Sequence, residues 1–90
     1  MQKKANIYAP LEGNNEGWIV EIIDENHVNT GLHYMDWPFS ISAREALEQF
    51  TTVEDFWPDT YVVAVFENDR DKPVLRGKAS DGVVLGYRYA

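Results

Sequence analysis

Residues 60–67 read TYVVAVFE, and they constrain the fold more than any other part of the chain. β-Branched and aromatic side chains favour extended backbone. Apolar residues occupy both alternating sets of positions, which is the pattern of a strand inside a sheet rather than at its edge. The fold is therefore expected to be a sheet with this strand in its middle.

Other strands are legible on both sides. Residues 5–9 and 18–23 alternate and flank a turn-rich stretch, residues 11–17, with Gly13, Asn14, Asn15 and Gly17; together they predict a hairpin. Asp24-Glu25-Asn26 reads as a turn into a third strand, residues 28–35, weakened by Gly31. Residues 68–73 form a charged loop. Residues 74–78 and 83–89 flank Ser80-Asp81-Gly82, and Asp-Gly is a hairpin signal because a type I′ turn needs positive φ at both central residues. Gly86 is expected to mark a bulge in the last strand.

The helix signal lies at Ser42. Ser42-Ala43-Arg44-Glu45 is a capping box, in which the serine oxygen accepts the Glu45 N–H and the glutamate reaches back to the Ser42 N–H. Ala46, Leu47 and Phe50 give the helix one apolar face. Thr51 or Thr52 is predicted to cap a second helical turn, residues 53–56, with Glu54 and Asp55 favourably placed near its N-terminus. Trp57-Pro58 ends that turn, since the residue before proline is pushed away from helical backbone. Trp37-Pro38 is a similar boundary. Each tryptophan reads either as core filling at a chain turn or as an exposed anchor for a partner. The expected class is α+β: an antiparallel β-sheet of five or six strands with one short helix, Ala43 to Phe50, packed on one face, in a single domain over residues 1–90.

Composition removes several kinds of chemistry. The chain has no cysteine, which excludes disulfides, thiolate catalysis and Cys-ligated metal. His27 and His33 lie near Asp24, Glu25 and Asp36, but two histidines six residues apart on one strand would stand about 20 Å apart. No metal or other cofactor is expected. Ser40, Ser42 and Ser80 lack a nucleophile signature, Gly77-Lys78 has no phosphate-loop context, and the many carboxylates single out no catalytic pair. The chain is not expected to be an enzyme. No apolar leader segment follows the basic start, and the longest apolar run, residues 61–66, is too short to span a membrane. A cytoplasmic location and no membrane partner are expected.

Charge is sorted along the chain. Residues 5–69 hold thirteen acidic residues and one basic residue, Arg44, whereas residues 70–90 hold five basic and two acidic ones. The long acidic segment repels phosphate and attracts basic surfaces. Arg70, Lys72, Arg76, Lys78 and Arg88 gather around the C-terminal hairpin. Arg76 and Lys78 are expected to share a face, with Tyr87 and Tyr89 opposite them; such a patch suits single-stranded nucleic acid. The acidity elsewhere argues against direct nucleic-acid binding, so the patch reads as a solvated hairpin or the inner side of a self-association surface.

In size and charge the chain is similar to nuclease immunity proteins and to phage- or plasmid-encoded inhibitors of restriction and CRISPR systems. Ile7-Tyr8, Asn15-Glu16-Gly17 and Pro38-Phe39 have loose counterparts in acidic antirestriction DNA mimics, over half the chain, with gaps and with no specific motif. The expected function is non-enzymatic binding of a basic, nucleic-acid-processing protein, occluded by charge mimicry. The expected contacts are Glu16, Asp24, Glu25, Asp36, Glu54, Asp55 and Asp59, with Trp57 as the apolar anchor. The alternative is a small structural subunit, a homodimer paired through an edge strand or an aromatic face. Acidity would then serve solubility alone.

Overall fold

A computed structural model describes residues 2–13 and 15–90. Six strands form one sheet: β1 (Gln2–Tyr8), β2 (Ile19–Ile23), β3 (Asn29–Tyr34), β4 (Thr60–Phe66), β5 (Leu75–Ser80) and β6 (Val83–Tyr89). One helix, α1 (Ala43–Thr51), and a 3-10 turn, Glu54–Phe56, lie between β3 and β4. The strand order is β3-β2-β1-β4-β5-β6. The class is α+β, as the residue pattern implies.

The pairing differs from expectation in one place. β1 and β4 run parallel, with Gln2 opposite Thr60 and Tyr8 opposite Phe66, so the sheet is mixed. The other four pairings are antiparallel. The cause lies in the crossover. The chain leaves β3 at the outer edge, passes through α1 over one face, and returns beside β1, the first strand laid down. β4 is thus internal, between β1 and β5, as its two-sided apolar pattern requires.

The core lies on the helix side of the sheet. Ala5, Ile7, Val20, Ile22, Tyr61, Val63, Val65, Leu75 and Ala79 point into it and are buried. From the helix, Ala46, Leu47 and Phe50 meet them. Phe50 stacks on Phe56 at 4.8 Å and meets Tyr61 edge-on at 5.2 Å. Trp18 and Trp37 cover the β1–β2 half, and the Trp18 indole donates to the Pro38 carbonyl at 3.0 Å. Gly77 lets the helix approach β5 closely: a Cβ there would stand 2.8 Å from the Gly86 carbonyl oxygen and 3.0 Å from Leu47 Cδ2.

The local signals hold. Ser42 Oγ accepts the Glu45 N–H at 3.1 Å, and Glu45 Oε1 accepts the Ser42 N–H at 3.0 Å. Asp81 and Gly82 have φ of 49° and 82°, as a type I′ turn demands. The β5–β6 register slips between Lys78 and Ala79, beside Gly86, where a bulge was expected. The threonine cap is a correction. Val53, not a threonine, precedes the 3-10 turn and gives no side-chain cap. Thr51 and Thr52 instead turn back and donate to the Glu48 and Gln49 carbonyls at 2.6 and 2.7 Å. Threonine hydroxyls near a helix end readily bond the carbonyls three or four residues back, and here they do so instead of capping the next turn. The turn predicted across residues 11–17 includes Asn14, which lies outside the described residues.

Candidate partner-binding site

Strand register decides which acidic residues meet. Gln2, Ile23, Thr60, Ser80 and Val83 all lie at the same end of the sheet, because Gln2 pairs with Thr60, Lys4 with Ile23, and Ser80 with both Thr60 and Val83. That end therefore receives three connections: the β2–β3 turn, the segment from the 3-10 turn into β4, and the β5–β6 turn. They bring Asp24, Glu25, Asp59 and Asp81 to one rim, with Glu54 and Asp55 on the 3-10 turn leading into it.

Each carboxylate is held differently. Asp24 Oδ1 accepts the Asn26 and Val28 N–H groups, both at 2.9 Å, and so builds its own turn, in which His27 takes a φ of 64°. Asp59 pairs with Lys3 at 2.8 Å. This hydrogen bond is the main reason the Lys3 ammonium is held above its ordinary value of 10.5; burial opposes it, and the nearby charges of Asp59 and Glu25 reinforce it. Glu25, Glu54, Asp55 and Asp81 are exposed.

Trp57 stands beside Asp59 and Asp81. It is 41% exposed, where Trp37 is only 8% exposed, so Trp37 fills the core and Trp57 leaves much of its ring at the surface. The Trp57 indole donates to the Thr51 carbonyl at 2.8 Å, and its ring rests against Gly82 of the β5–β6 turn. The Trp57-Pro58 bond is cis. The ring is thus fixed from two sides and still presents an apolar surface.

Six of the eight residues singled out by sequence lie on the connections at this end of the sheet: Asp24, Glu25, Glu54, Asp55, Trp57 and Asp59. Glu16 and Asp36 do not. They lie at the opposite end, after β1 and after β3, where Gly17 abuts Met35 and the exposed Phe39. Asp81 was missed as a site residue. Its Asp-Gly signal gave the turn, but only the β4–β5 register places that turn beside Trp57.

The basic patch is arranged differently from the sequence expectation. Tyr87 pairs with Gly77 and Tyr89 with Leu75, so both tyrosines lie on the helix side of β6. Arg88, not a tyrosine, stands opposite Arg76 on the uncovered face. Arg70 has left the patch: its guanidinium donates to the Ala9 carbonyl at 2.7 Å and lies 5.1 Å over the Tyr8 ring.

His33 stands on the helix side of β3, edge-on to Phe56 at 5.2 Å, and away from the His27 turn. Among the described residues no three His, Cys, Asp or Glu side chains come together as a metal site would need. No described helix is long and apolar enough to cross a membrane. No protein-family model, curated protein or solved structure matches this chain.

Proposed function

We propose that this protein is a non-enzymatic binding protein whose acidic end docks on a basic, nucleic-acid-processing partner and occludes it by steric and electrostatic mimicry of nucleic acid. The observation that carries the reading is that three separate connections gather carboxylates at one end of the sheet, where a fixed, half-exposed indole stands beside Asp59 and Asp81. Carboxylates at the rim speed and orient encounter with a basic groove. An aromatic anchor inside such a rim typically supplies most of the binding energy. No covalent step is involved. A nuclease, restriction or CRISPR effector has the required basic groove, and a cytoplasmic setting among phage or mobile elements belongs to the same proposal. Glu16 and Asp36, at the far end, would contribute only to a partner that wraps the whole length of the sheet.

The test uses a partner captured on the immobilised protein from its host extract at low ionic strength, then purified. Duplex DNA or RNA should compete with the protein for that partner. A partner bound simultaneously by nucleic acid and by this protein would sink the reading.

A second reading has its own support. β6 is an outer strand, and Val83, Leu85, Tyr87 and Tyr89 on it are all exposed. An unpaired edge of this kind can join a second copy. The bulge beside Leu85 and the charge of Arg88 blunt that edge, which is why self-association ranks second. A homodimer through β6 would persist at high salt, unlike the electrostatic complex.

A further inference from the structure

The face of the sheet opposite the helix carries a cation cluster that the acidic-end reading does not use. Register brings four cations together. Lys4 pairs with Val62, Val62 pairs with Lys78, Ala64 pairs with Arg76, and Arg76 pairs with Arg88. Lys4 and Lys78 are thus two strand spacings apart, about 10 Å, and Arg76 and Lys78 are about 7 Å apart along one strand. Arg76 and Arg88 stand directly opposite one another with Cα atoms about 4.5–5.5 Å apart, an arrangement that is destabilising for like charges. None of the four is held in an ion pair with a carboxylate among the described residues; the ion pairs formed there are Lys3–Asp59 and Arg44–Glu48.

Between Arg76, Lys78 and Arg88 the surface is concave. A depression of about 370 Å³ is walled by Arg76, Lys78 and Arg88 and floored by Val62, Leu85 and Gly86. Its size falls within the range of small-molecule sites. Gly86 keeps it open: a Cβ there would meet nothing within 4 Å. A second, smaller hollow adjoins it at Val62 and Arg76 and is lined by Lys4 and Asp71. The floor is aliphatic; Tyr87 also borders it, but its register opposite Gly77 turns the ring to the other face, with Tyr89. Stacking of successive bases, the usual basis for single-strand binding, has no platform here.

We propose that this groove is a binding site for a small oligophosphate, inorganic or carried on a nucleoside, with Arg76 and Arg88 gripping one phosphate as paired forks, Lys78 meeting the next, and Lys4 adding positive charge from the adjoining hollow. Planar guanidinium groups match phosphate oxygens two at a time, and lysines act as point charges alongside. An anion between Arg76 and Arg88 also relieves their mutual repulsion. The site is independent of the acidic end and stands or falls without it.

The experiment titrates inorganic tripolyphosphate, ATP and a short oligothymidylate into the protein at low ionic strength, read by amide chemical shifts and calorimetry. Tripolyphosphate should bind saturably, with shifts centred on residues 76–78 and 85–88. Equal affinity for ATP assigns recognition to the phosphates; tighter ATP binding adds the Val62–Leu85 floor. Both uphold the site. Arg88→Gln should weaken binding at least about tenfold, as expected for loss of a charge-assisted hydrogen bond. Gly86→Leu should fill the groove and abolish binding without lowering the melting temperature, which keeps the test decisive if an arginine variant is unstable. No saturable binding up to about 1 mM tripolyphosphate, a free energy of about 4 kcal/mol, overturns the proposal. So does binding that survives both variants, or binding of the oligonucleotide alone.

Discussion

Trp57 and Gly82 touch so closely that any side chain at position 82 would force the indole to move: a Cβ there would stand 2.6 Å from Cζ2 of the indole. Gly82 also has a φ of 82°, a conformation that side chains rarely adopt. The contact ties the β5–β6 turn to the segment entering β4, and so couples two of the three connections that build the acidic end. Gly82→Val should destabilise the protein by more than about 1 kcal/mol in chemical denaturation. A neutral substitution would mean that the turn and the indole are not in contact.

The helix start makes a second prediction. Ser42→Ala removes the oxygen that accepts the Glu45 N–H and should cost about 0.5–2 kcal/mol. An unchanged denaturation midpoint would mean that α1 does not begin at Ser42.

The same cap predicts a pH dependence. The Ser42 backbone N–H, followed by its hydroxyl, holds the Glu45 carboxyl below its ordinary value of 4.5. A depressed carboxyl contributes stability that is complete above the unfolded value and is lost as pH falls through the folded one. The stability gap between the native protein and Glu45→Gln should therefore close as pH drops below about 4.5. A gap that stays constant through the acid range would place the carboxylate outside the cap.

Zinc should not stabilise the protein. His27 sits in a left-handed turn and His33 lies against Phe56. A metal bound to the native state raises the melting temperature by mass action. A stoichiometric rise at micromolar zinc, abolished by His27→Ala, would overturn this account of the two histidines.

The features legible in the sequence were those fixed by neighbouring residues. The Ser42 capping box, the Asp81-Gly82 turn and the two-sided apolar pattern of residues 60–66 each depend on contacts within a few positions. The parallel pairing of β1 with β4 does not, because it is set by where the crossover returns the chain. β1 begins at Gln2, three residues before the apolar alternation starts, because Lys3 reaches Asp59 and Lys4 faces the open side. The site followed the same division. Acidity and a Trp-Pro step marked Asp24, Glu25, Glu54, Asp55, Trp57 and Asp59, while the addition of Asp81 and the separation of Glu16 and Asp36 came from strand register. The four-cation face was hidden for that reason too: Lys4 lies far from Arg76, Lys78 and Arg88 in the chain, and a one-residue difference in pairing exchanges Arg88 for a tyrosine.

The central claim is that the acidic end steers a basic partner onto Trp57. Its most direct test is the association rate of the captured partner against ionic strength, for the native protein and for a variant with Glu25, Glu54 and Asp55 each changed to Lys. This set leaves the Lys3–Asp59 pair intact. The native rate should fall steeply as salt rises. The variant should associate more slowly at low salt and respond little to it, while Trp57→Ala should act mainly on dissociation. A native rate indifferent to salt, or a charge-reversed variant that binds like the native protein, would contradict the account.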